Sequence, residues 1–197
     1  MTDSRPSTAI TLFAAAIIQS AILGWMVWDR IDLLRTGRPI VLDVAPVDPR
    51  DLFRGDYLVL SYPIARLRTD LVEGDKDFAL NDRVYVGLRR TETDAWQAFS
   101  MHHARPQLTG EVVFLRGTVT GVSGPATGDV PCTGDCKVVA MRFGIESYFV
   151  PEGEGRRLEK LRNDNRLQVA ARVTPDGEAA IAGLIIDGTL RYEEPLF

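Results

Sequence analysis

Residues 8–28 read TAITLFAAAIIQSAILGWMVW and hold no charged side chain. As an α-helix this stretch rises about 31 Å, which matches a hydrocarbon core of about 30 Å. Gln19 and Ser20 are the strongly polar residues near its centre, and a helix tolerates them because its backbone is bonded internally. Trp25 and Trp28 stand at its C-terminal end, directly before Asp29 and Arg30, where an amphipathic ring is stable at the membrane interface. A cleaved signal peptide would have an apolar region of about 7–15 residues and then a small-x-small site. The segment ends Gly24-Trp25-Met26-Val27-Trp28 and offers no such site. Residues 8–28 are therefore expected to form a single transmembrane signal anchor, after a short N-terminal tail of residues 1–7 and ahead of one folded domain over residues 39–197.

Outside that stretch the chain is ordinary. A hydrophobic content of 45% supplies enough apolar side chain to exclude a disordered chain, and one apolar run does not make a multi-span protein. The net charge is −4, with both signs mixed, so the basic footprint of a nucleic-acid binder is missing. Orientation is contested within the sequence. Arg30, Arg35 and Arg38 follow the apolar run whereas Arg5 alone precedes it, and the positive-inside rule then places the domain in the cytoplasm. Cys132 and Cys136, in GDVPCTGDCKV, argue the other way if they close a small disulfide ring in an oxidising compartment; unpaired loop thiols are the alternative. No second cysteine pair is present to complete a zinc site.

The domain reads as mainly β. Alternating or β-rich runs fall at residues 40–45, 57–62, 83–88, 96–101, 111–122, 137–150, 167–174 and 179–186, which predicts about eight strands. Turn residues separate them, and Pro175-Asp176-Gly177 joins the last two as a hairpin. One short helix is expected at residues 154–162, where Leu158 and Leu161 share a face. Many short strands with one helix predict a barrel or sandwich.

The densest segment is PVDPRDLFRGDYLVLSY, residues 46–62. Asp48-Pro49 reads as an N-cap and first helical position, Asp51 falls in the first turn and Gly55 is a stop, so a single helical turn is expected ahead of a strand. In that strand Tyr57, Val59 and Ser61 share one face and Leu58, Leu60 and Tyr62 the other; both faces are largely apolar, which predicts a central strand. Asp48, Arg50, Asp51, Arg54 and Asp56 crowd its start, as a salt-bridged corner or as a polar binding or catalytic cluster.

Gly55-Asp56-Tyr57-Leu58-Val59-Leu60-Ser61-Tyr62 resembles, at every specified position, the pattern that names the GDYXXLXY family of bacterial membrane-anchored proteins. The resemblance extends to residues 46–54 before it and to residues 143–153, which contain Tyr148-Phe149-Val150-Pro151-Glu152-Gly153, with Leu158-Glu159. It implies a signal anchor in the plasma membrane, a periplasmic or extracellular domain, no assigned chemistry, and a multi-pass membrane protein as partner.

Within the second segment, residues 148–150 read as a short strand that Pro151 and Gly153 interrupt, with Glu152 and Glu154 ahead of a helix N-terminus. A functional alternative pairs Glu152, Glu154 and Glu159 with Asp56 as acid and base. His102 and His103 face opposite sides of a regular strand and cannot jointly chelate a metal. A Ser/Lys hydrolase is disfavoured because the lysines, Lys76, Lys137 and Lys160, accompany no Ser-Met-x-Pro sequence, and no phosphate loop or nucleophile elbow occurs. Trp96, Tyr148 and Phe149 are the aromatic candidates for a ligand pocket. No catalytic constellation, cofactor or metal is therefore expected. The leading reading is a binding or accessory partner of a multi-pass membrane protein; the alternative is a cell-envelope hydrolase using Asp56, Asp48 or the Glu152 region.

Overall fold

A computed structural model describes residues 8–46, 57–92, 94–107, 110–124 and 136–194. The apolar run and the charged residues after it form one helix, α1 (Thr8–Thr36). It continues past Trp28 because Ile31, Leu33 and Leu34 give the last two turns an apolar side, and Leu33 is buried. At about 44 Å it is longer than a hydrocarbon core is thick. From residue 11 to residue 30 every position is exposed, and the helix is long and apolar enough to cross a membrane.

Gly37 ends α1 and starts the domain with no linker between them. Its N–H donates to the Leu33 carbonyl at 2.9 Å, and its carbonyl accepts from the Arg172 guanidinium at 3.1 Å. A Cβ here would lie 2.5 Å from the Leu33 oxygen and 3.0 Å from the Arg172 Cβ. β1 (Arg38–Asp43) follows at once. It pairs antiparallel with β10 (Leu167–Val173), Ile40 opposite Ala171, and β11 (Ala179–Ile186) and β12 (Thr189–Glu193) complete a four-stranded antiparallel sheet. The last turns of α1 pack against β10 and β11.

The second sheet has six strands, in the order β3 (Arg66–Arg68), β8 (Val138–Arg142), β7 (Val112–Ser123), β5 (Arg83–Arg90), β6 (Trp96–His102) and β4 (Glu73–Gly74). The strands curl into a half-barrel. Alternate residues of β5, β7 and β8 enter one core with β1, β10 and β11: Val84, Val86, Leu115, Val119 and Val139 meet Ile40, Leu42 and Val169. The expected hairpin turn at Pro175-Asp176-Gly177 is present, with Gly177 at φ +86. It also joins the sheets, because the Gly177 carbonyl accepts from the Arg116 N–H at 2.7 Å.

The β-rich class and the anchor-like helix match expectation, and the short helix α2 (Gly155–Asn163) lies one residue from its expected place. Three details differ. Twelve strands occur among the described residues rather than about eight, the additions being segments of two to five residues. The run expected over 137–150 divides into β8 and β9 (Ser147–Phe149), because Gly144 turns at φ +83 and the Glu146 carboxylate accepts the Phe143 and Gly144 N–H groups at 2.5 and 2.9 Å. The run 57–62 is not central to a large sheet. Only β2 (Tyr57–Val59) is strand within it, and among the described residues it pairs with β9 alone. Ser61 leaves that pair to bridge Ala45, and Pro63, which has no N–H to continue a ladder, opens a 3-10 turn. Its apolar character on both faces reflects a corner position between sheets.

Replacing Gly37 with alanine tests the junction. The new methyl group has nowhere to go, so the full chain in detergent loses about 1–3 kcal/mol on thermal or denaturant unfolding, whereas Gly24→Ala, whose Cβ meets nothing within 4 Å, leaves stability unchanged.

Candidate functional site

The two segments that carry the family pattern meet in space. β2 and β9 form an antiparallel pair with Tyr57 opposite Phe149, Leu58 opposite Tyr148 and Val59 opposite Ser147. The Tyr57 and Phe149 rings lie 6.3 Å apart at a tilt of 58°. Beyond β2 the pairing continues as single bonds. The Leu60 N–H donates to the Glu146 carbonyl at 2.8 Å, and the buried Tyr62 hydroxyl donates to the Ile145 carbonyl at 2.5 Å. Tyr62 is 2% exposed. Burial, and then the nearby Glu146 carboxylate, push its hydroxyl far above the ordinary tyrosine range, so it is a neutral donor.

α2 closes the corner from the other side. Leu158 is fully buried beneath it, and one turn later Arg162 is also buried, 2% exposed. The Arg162 guanidinium donates to the Val59 carbonyl at 2.7 Å and to Asn163 Oδ1 at 3.1 Å. A buried cation needs such partners. Burial pulls its pKa below the ordinary value, with Glu159 acting against that. Sequence reasoning missed Arg162; the signal was a cation four residues after Leu158, on the apolar side of the helix.

A second polar group lies where α2 begins. The Tyr192 hydroxyl of β12 donates to Glu154 Oε2 at 2.7 Å, and Arg157 reaches the same oxygen at 3.3 Å. Glu154 therefore binds side chains from β12 and α2 and makes no side-chain cap bond at the helix N-terminus. Tyr148 sits beside this group. Its hydroxyl is pushed up to about 12, by burial first and then by the Glu194 carboxylate. Pro151, Glu152 and Gly153 form an exposed turn after buried Val150, with Gly153 at φ +86.

The remaining sequence candidates disperse. Asp48, Pro49, Arg50, Asp51, Arg54, Gly55 and Asp56 lie outside the described residues, and so does Cys132. Cys136 is disulfide-bonded. Glu152 is exposed while Glu154 is held by Tyr192 and Arg157. The aromatic trio does not share a pocket: Trp96 is buried in β6 with the Arg38 guanidinium 5.4 Å from its ring centre, Tyr148 is buried in β9, and Phe149 is exposed. His103 packs on Phe78, ring centres 4.4 Å apart, whereas His102 meets the edge of Phe114. Trp25 and Trp28 are exposed on α1.

A family model of GDYXXLXY proteins matches residues 19–184. The chain belongs to the GDYXXLXY family. That match runs from inside α1 to β11 and so takes in the helix–domain junction as well as the β2–β9 corner. No curated protein and no solved structure matches the chain. In this GDYXXLXY protein the described part of the motif makes a desolvated, internally bonded corner. Tyr62 and Glu146 spend their polar groups on backbone, and Arg162 on the Val59 carbonyl and Asn163, which fixes the two chain segments together.

Two measurements probe that corner. Tyr62→Phe leaves the Ile145 carbonyl without its donor and lowers unfolding stability by about 1–3 kcal/mol. The pH dependence has a definite sign. Tyr62 and Tyr148 ionise at higher pH in the folded state than their ordinary 10.0, so their stabilisation is complete below pH 10 and is lost as pH rises beyond it. Denaturation from pH 8 upward should show stability falling between about 10 and 12, and the double variant Tyr62→Phe/Tyr148→Phe should flatten that fall.

Proposed function

We propose that this protein is a single-span anchor bearing a β-rich domain outside the cytoplasm, and that it binds and stabilises a multi-pass membrane protein through α1. The observation that carries this reading is the bare state of a packing surface. Ala16, Ser20 and Gly24 recur every four residues along α1, all exposed, and nothing lies within 4 Å of where a Cβ on Gly24 would be. Small residues at that spacing let helix backbones approach closely in lipid, where packing and hydrogen bonds drive association. Gln19 stands beside them and supplies a donor and acceptor at mid-membrane depth, where an unpaired amide is unfavourable.

Placement outside the cytoplasm is supported by the disulfide at Cys136, since such bonds persist in oxidising compartments. The arginines after the anchor argue against it by count. Arg38, however, has a structural task, donating to the Val112 carbonyl at 3.0 Å while covering Trp96. The alternative of a cell-envelope hydrolase rests on Asp56 and Asp48, which lie outside the described residues, and on the Glu152 region, where Glu154 is held by Tyr192 and Arg157.

A photoreactive residue in place of Ser20, activated in intact membranes, should give one discrete crosslinked species containing a multi-pass protein, and Gly24→Ile should reduce its yield several-fold. Recovery of abundant proteins at random, unchanged by Gly24→Ile, contradicts the proposal. Alkaline phosphatase fused after Phe197 should be active; an inactive fusion at normal expression would place the domain in the cytoplasm.

A further inference from the structure

α1, the start of β5, the middle of β7, the end of β8 and the turn before β11 border an open cleft of about 750 Å³. Its helix wall is Trp25, Met26, Asp29, Arg30 and Leu33, spaced to share one face of α1 and spread over about 12 Å of its axis. Its sheet wall is set by the ladder. Arg83 of β5 pairs with Thr118 of β7, and Thr118 pairs with Arg142 of β8, so the two arginines flank one hydroxyl across three adjacent strands. Arg116, two residues before Thr118, projects from the same face.

The charges do not cancel. Four arginines line the cleft against two carboxylates, Asp29 and Glu178. Glu178 is taken by an ion pair with Arg116. Arg30, Arg83 and Arg142 form no ion pair among the described residues, and Arg83 and Arg142 lie on strands about 10 Å apart. Asp29 is the one carboxylate left in the lining against these three arginines, so the cleft keeps a net positive charge that a bound anion would offset.

The depth of the cleft specifies the anion. Trp25 and Trp28 belong at the membrane interface, so Asp29, Arg30 and Leu33 stand one to two turns further out, in the layer of lipid headgroups. A phosphodiester carries one negative charge and two unesterified oxygens, which suit guanidinium forks and a threonine hydroxyl. Trp25 and Met26 give the membrane side of the cleft an apolar edge for the glycerol and first methylenes. We propose that the cleft binds the phosphodiester headgroup of an anionic phospholipid from the leaflet that α1 emerges through, with Arg83, Arg142 and Arg30 as its charged contacts. The inference rests on α1 being a membrane anchor and holds whichever side the domain occupies.

The test uses the full chain in detergent, with phosphatidylglycerol or phosphatidylcholine added and retained lipid read by native mass spectrometry. Wild type should retain phosphatidylglycerol in preference by about tenfold or more. Arg83→Gln/Arg142→Gln, both exposed positions, should abolish the preference at unchanged melting temperature, while Arg156→Gln on exposed α2 should keep it. Millimolar inorganic phosphate should not displace the lipid. Equal retention by the double variant, or no preference in wild type, overturns the inference. Displacement by inorganic phosphate also overturns it and assigns a soluble phosphate ligand instead. Alkaline carbonate extraction of membranes separates the two readings: a wild-type chain that washes out removes both the anchor and the headgroup site, whereas an embedded chain without lipid preference removes the headgroup site alone.

Discussion

No room exists for a side chain at Gly37, and the arrangement of α1 and the β-rich domain depends on that. The backbone passes from α1 to β1 within one residue, between the Leu33 carbonyl and Arg172. A flexible tether would let the domain wander over the bilayer; this junction fixes the last turns of α1 against β10 and β11. The consequence reaches the functional readings. A rigid exit holds the arginine-lined face of the sheet in one orientation to α1 and so to the helix stripe Ala16, Ser20, Gly24.

The β2–β9 corner is the second fixed point, and it is made by backbone satisfaction. Residues 57–62 and 143–149 are short, lie more than 80 positions apart and form one ladder of three pairs. Such a ladder is weak alone. Tyr62 and Arg162 add donors to the carbonyls of Ile145 and Val59, and both side chains are buried, where breaking a hydrogen bond leaves an unsatisfied group. The family pattern at Tyr57, Leu60 and Tyr62 is thus accounted for by a half-buried ring against Phe149, a buried leucine and a buried hydroxyl donor.

Much of this was legible in the sequence where burial alternates along a long element. β10 is buried at every second residue over its whole length, and its hairpin to β11 follows from Pro175-Asp176-Gly177. The apolar run ends at Trp28 because hydropathy measures fitness for lipid, whereas the helix persists to Thr36, directly before Gly37, a stop signal with Pro39 two residues on. β12 was missed although Asp187-Gly188, at φ +50 and +76, is the two-residue turn that favours a hairpin. β3 and β4 have two or three residues and no pattern of their own; their partners define them. The cleft was beyond sequence reading, because its walls come from positions between 25 and 179 that only the ladder register aligns.

Hydrogen–deuterium exchange of the full chain in lipid nanodiscs tests the central claim, that one uninterrupted helix spans the membrane and enters the domain without a linker. The account predicts protected amides from about residue 11 through Gly37 and on into β1, with no fast-exchanging gap. Rapid exchange at residues 29–38 would show a tether in place of the rigid junction, and rapid exchange at residues 11–28 would show that α1 does not reside in the bilayer.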